Sequence, residues 1–124
     1  MSSLTPRTTS YTPPKEFFSH DHKVEIPGGV TIDYTTVTTA DDGSRVVLAG
    51  SRMGKITASD KYGPYNDSAA DGRQVGVGLL MYEVDCTEGD ELGSIVIHGF
   101  VKEAALPEVI DANFKADCPL LKFL

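Results

Sequence analysis

Histidine is the side chain most able to do proton or metal chemistry near neutral pH, and this chain has three: His20, His22 and His98. The "HDH" at 20–22 places two imidazoles on one side of an extended segment. A structural zinc site takes about four ligands, and no cysteine or further histidine lies nearby to complete one. His98 sits in "IVIHGF", facing opposite to Ile95 and Ile97, as a surface or interface histidine does. Aspartates and glutamates are plentiful but fall in turns, where they are usually solvated, and nothing pins an acid–base pair at a shared position. No serine has the Gly-x-Ser-x-Gly elbow of a hydrolase. "GSRMGKIT" has Gly54-Lys55-Ile56 where a phosphate loop needs Gly-Lys-Ser/Thr, and it lacks the loop's spacing. "GVGLLM" puts its glycines at the start of a strand rather than after one, a weak nucleotide signal. Lys61, in "ASDKYG", occupies a turn of the kind that carries lipoyl or biotinyl groups in small β domains. The partner residue and the symmetric flanking halves of such domains are absent. The expectation is a protein that is not an enzyme and has no cofactor and no metal site.

The elements that must position any site are mostly strands. From Val24 the sequence is rich in Val, Ile, Thr and Tyr, and "KVEIPGGVTIDYTTVTT" reads as strand interrupted by a turn at Pro27-Gly28-Gly29. "DDGS" at 41–44 is a second turn, "RVVLAG" a short buried strand and "MGKITA" another. Lys61 to Tyr65 is a short extended piece, and "NDSAADG" is a loop closed by Asp71-Gly72. "QVGVGLLMYEVDC" reads as one long apolar strand, with Gly76 and Gly78 two apart and so on one face. Paired glycines in a strand mark a bend or the close approach of another backbone. "TEGDE" at 87–91 is an acidic turn and "GSIVIHGFV" the last long strand. In "LPEVIDANFKAD" the period changes to helical, with Pro107 in the first turn and Val109, Ile110 and Phe114 on one side. Pro119 ends it, and "LLKFL" returns to strand. The predicted fold is mainly β with minor α: a small β-rich body, tulip- or barrel-like, with one short C-terminal helix.

Residues 1–23 are different. They hold Pro6, Pro13, Pro14 and many Ser and Thr, with too little apolar surface to offset ordering entropy. They read as an extended arm, flexible in isolation, followed by a body from 24 to 124. Leu4, Tyr11, Phe17 and Phe18 punctuate the arm and suit anchoring on a partner's surface; alternatively Phe17 and Phe18 tuck against the body. The 124 residues suit one domain with its own core. The net charge is −7, of which residues 1–23 carry +1, leaving −8 on the other 101. An acidic body repels phosphate backbones, which argues against nucleic-acid binding. No apolar run approaches the ~18 residues of a membrane span, and the N-terminus lacks a signal-peptide core. Cys86 and Cys118 read as unpaired thiols in a reducing compartment.

The order of these pieces carries a resemblance. "GSRMGKITASDKYGPYNDSAADGRQVGVGLLMYEVDCTEGDELGSIVIHGFV" joins a Gly-Lys-Ile-Thr strand, a "KYGPYN" segment, a polar "AADG" loop, a Val-Gly-Val-Gly-Leu-Leu strand and an apolar strand ending in His-Gly. It resembles the head decoration proteins of tailed bacteriophages, the lambda-type capsid-cementing family, over about residues 44 to 104. The arm matches only in character, and Cys118 and the "DCPLLKFL" ending have no assigned role. The resemblance implies a structural virion protein, made in the host bacterial cytoplasm and carried on the outer surface of the capsid. It implies binding to the expanded shell as homotrimers at threefold positions, stabilising the shell against the pressure of packaged DNA. The implied partners are the major capsid protein and the chain itself, with neither nucleic acid nor membrane. Within that reading the capsid-binding residues are the apolar arm anchors Leu4, Tyr11, Phe17 and Phe18, with Arg7 and Lys15 pairing shell carboxylates. Tyr65, Gly76 and Gly78 are the trimer-interface candidates, or else serve the subunit's own core. The rival reading is a virion surface module that recognises a host glycan or protein through exposed aromatics such as Tyr62 and Tyr65.

Overall fold

A computed structural model describes residues 18–124 of the chain. Its strands are β1 (Phe18–Glu25), β2 (Val30–Ile32), β3 (Val46–Val47), β4 (Arg52–Lys55), β5 (Tyr62–Pro64), β6 (Gly76–Leu80), β7 (Val84–Asp85), β8 (Glu91–Gly93), β9 (Ile95–Val101) and β10 (Leu121–Phe123). One short helix, α1 (Ala112–Asp117), lies between β9 and β10. Eight strands form a curled, half-barrel sheet in the order β1-β9-β6-β4-β5-β2-β8, with β10 also on β9. The strands β3 and β7 form a separate two-stranded ribbon. The mainly β fold with one C-terminal helix is as expected.

Strand alternation explains the core. On β6, Leu79 enters one apolar cluster and Leu80 the other; on β9, Val96 and Ile95 divide the same way. The first cluster is closed by α1 through Phe114, with Ile110 and Cys118 beside it. The second contains Val47 and Val84 of the β3–β7 ribbon. The central sheet is therefore covered on both faces, which is why β6 reads as an uninterrupted apolar run.

Several expectations shift, most of them for a tertiary reason. The 74–86 segment is not one strand. Its first part pairs with β4 and β9, and its second part pairs with β3 in the ribbon, so the chain bends at Met81–Tyr82 to change sheets. After β2 the chain does not continue as strand. Asp33 accepts the Thr35 N–H at 3.0 Å, Thr36 Oγ1 donates to the Asp33 carbonyl at 2.7 Å, and Tyr34–Thr36 coil into a 3-10 turn. The helix begins at Ala112 rather than Pro107. Asp111 at its N-cap is extended, at φ −79° and ψ 164°, and makes no side-chain cap bond. Its carboxylate is taken by Arg52 instead. At the other end of the chain, β1 begins at Phe18, ahead of the arm–body boundary expected after residue 23, with Phe18 and residues 23–25 paired to β9.

Gly76 and Gly78 do not share a face. The β4–β6 register slips between Met53↔Gly78 and Gly54↔Gly76, a bulge that reverses the alternation. A Cβ on Gly76 would run into the Phe114 ring, and one on Gly78 into the Val96 carbonyl and the Ile95 methyl. The neighbour at Gly78 is backbone and cannot swing away. Gly78→Ala is therefore expected to lower stability by about 1–3 kcal/mol, read from the urea unfolding midpoint. An unchanged midpoint would mean that β6 and β9 are not packed this closely.

Candidate functional site

The sequence singled out two regions, the N-terminal arm and the surroundings of Tyr65, Gly76 and Gly78. Leu4, Arg7, Tyr11, Lys15 and Phe17 lie outside the described residues. Phe18 is the first residue of β1, opposite Val101 at the end of β9. On the other side of β9, Val101 faces Phe123 of β10, and Leu124 donates its N–H to the Val101 carbonyl at 2.8 Å. The N-terminal segment thus joins the body at the corner where β9 and β10 end.

Tyr65 is a buried member of the helix-side core. Its ring meets Phe114 edge-on, with centroids 5.2 Å apart, and the Arg52 guanidinium lies 5.2 Å from its centroid. The hydroxyl is shared between Asp67, at 3.3 Å, and Asp111, at 3.4 Å. Arg52 reaches across from β4 to Asp111 at 3.1 Å and Glu108 at 3.5 Å, and its backbone N–H donates to Glu108. Gly76 donates its N–H to Asp117 at 2.9 Å. These contacts clamp the segment before α1, and α1 itself, onto β4 and β6. Burial, reinforced by the charges of Asp111 and Asp67, pushes the Tyr65 hydroxyl up to about 12. The protonated hydroxyl donates to these carboxylates, and the cluster fastens the segment before α1 to the sheet.

The remaining candidates are also accounted for locally. Lys61 is ion-paired to Asp90 at 2.6 Å, and Asp90 also accepts the Tyr34 N–H. That hydrogen bond raises the Lys61 pKa, and the lysine is fastened to the body instead of projecting as a carrier arm. Cys86 and Cys118 are unpaired and buried; burial raises both, Cys118 to about 12. Tyr62 is half-buried with Lys55 6.0 Å from its ring, and Tyr65 is buried, so these two do not form an exposed aromatic cluster. Among the described residues no group of three or more His, Cys, Asp or Glu is arranged to hold a metal ion. No helix among them is long and apolar enough to cross a membrane.

The Arg52 clamp was not legible in the sequence. Its partners Glu108 and Asp111 are 56 and 59 residues away, and no local spacing signals such a pairing.

The family model for the bacteriophage lambda head decoration protein D matches residues 19–117, from β1 to the last residue of α1. The chain belongs to this family. No curated protein and no solved structure gives a significant match. As a head decoration protein it is a structural virion component of the outer capsid surface, and its partner is the phage capsid.

The Tyr65 geometry sets a pH dependence. Its folded pKa lies above the ordinary value of 10, so its contribution to stability is complete below pH 10 and is lost as pH rises toward about 12. Tyr65→Phe is expected to remove that part of the alkaline loss. Chemical unfolding of both proteins from pH 8 upward checks it, and parallel curves through the alkaline range would contradict the buried hydroxyl.

Proposed function

We propose that the chain adds to the outside of the expanded shell as trimers at threefold positions and clamps neighbouring major capsid protein subunits against packaged DNA. The observation that carries this reading is the family match across nearly the whole described body. A body fastened by long-range contacts, with its N-terminal segment entering through an edge strand, supports it. A segment that enters the sheet extended can continue as a strand along a shell protein, which is β-augmentation. Leu4, Tyr11, Phe17 and Phe18 act as apolar anchors on the shell, and Arg7 and Lys15 meet its carboxylates. Three arms on one body raise effective concentration, so individually weak arm contacts sum to firm attachment.

Trimer contact belongs near Tyr65, Gly76 and Gly78. Those three positions are filled by intrachain neighbours, so the contact itself falls to the adjoining exposed loop around residues 66–70 and to Val75, which is 52% exposed. The role is mechanical, without catalysis. The acidic body supports a protein partner over nucleic acid.

The test is binding of the full chain to expanded, decoration-free capsids. Alanine at Leu4, Tyr11, Phe17 and Phe18 together is expected to weaken attachment by roughly tenfold or more. Undiminished capsid occupancy by that variant would sink the arm as the attachment device.

A further inference from the structure

Past the end of β9, the chain forms an open groove of about 640 Å³ lined by Leu106, Pro107, Val109 and Leu124, with Glu103 and Glu108 among its walls. Val109 is 86% exposed and Leu124 61%. Nearby, Ile110, Phe114 and Leu121 are buried in the helix-side core, whereas Leu120 is 59% exposed. Val109 is held out by its neighbours: Glu108 and Asp111 are drawn to Arg52, and Ile110 goes into the core. Concentrated apolar exposure beside carboxylates marks a contact surface.

The groove adjoins the point where the N-terminal segment meets the body. Phe18 and Phe123 flank Val101 on either side of β9, two strand spacings or about 10 Å apart. Glu103, in the groove wall, donates its N–H to the Leu124 carbonyl, and Leu124 donates to Val101. A shell surface that the arm follows to its root therefore arrives at the groove.

The geometry points to the groove as a second, body-side capsid contact, which receives an apolar side chain of the major capsid protein with hydrogen-bond donors beside it. Glu103 and Glu108 supply the acceptors. Each already has an internal cation, Lys115 at 2.7 Å and Arg52 at 3.5 Å, yet both side chains stay 37–41% exposed and keep lone pairs open to a partner. The arm gives reach, and the groove fixes how the body is seated once the arm is down. The inference rests on the capsid-binding reading above and adds a site to it.

Binding of the full-length chain to expanded, decoration-free capsids tests it with three single variants. Val109→Asp is expected to bind about tenfold more weakly or worse, while Val109→Leu and Leu92→Asp stay within about threefold of wild type. Leu92 is the control because it is 78% exposed on β8, at the other end of the sheet order from β1. The thermal unfolding midpoint of Val109→Asp should match wild type, since the side chain touches little of the core. If wild type binds and Val109→Asp binds equally well, the groove inference is overturned and decoration stands. Equal weakening by Leu92→Asp overturns the location. A changed sedimentation coefficient for Val109→Asp without capsids would assign the groove to contacts between copies of the chain, against the inference. No binding by wild type overturns the capsid reading and the groove together.

Discussion

The seating of the Phe114 ring over Gly76 is the contact on which the rest of the structure depends. Any side chain at residue 76 would occupy the space of the ring. With hydrogen there, Phe114 reaches the sheet, meets Tyr65 edge-on and lies near Phe123 of β10. One aromatic side chain thus joins helix, central sheet and last strand. A six-residue helix is too short to be stable alone in water, so its existence depends on this packing. The segment before it, with Glu108, Val109 and Asp111, is placed as a consequence.

The strand β9 has a comparable role in connectivity. It pairs with β6 near its start, with β10 near its end and with β1 along its other side. Both ends of the described chain are therefore fixed to one strand, at the same end of it. For a capsid decoration protein this gathers the N-terminal segment, the last strand and the groove at one corner.

The acidic character of the body has a plain structural distribution. Asp42, Asp71 and Asp85 each accept the backbone N–H two residues on, and side-chain hydrogen bonds from Ser44, Arg73 and Thr87 join them. These bonds favour the charged form and lower all three pKa values. The carboxylates shape turns and keep the surface soluble; they do not converge on a reacting centre.

The sequence by itself determined the strand-rich class, the turns at Gly28-Gly29, Asp42-Gly43 and Asp71-Gly72, the helical change of period near Phe114 and the order of pieces that marks the decoration family. Those are local signals, set by backbone preference and side-chain alternation within a few residues. It also showed Gly76 and Gly78 to be unusual, though not what fills the space beside them. The tertiary structure alone decided that a bulge sends those glycines to different neighbours, that the 74–86 segment divides between two sheets, and that Asp111 serves Arg52 instead of capping a longer helix. The groove beside the root of the N-terminal segment arose in the same way, from residues 101–109 meeting the chain's last strand. Each of these depends on a partner tens of residues distant, and pairings of that kind leave no periodicity for a sequence to display.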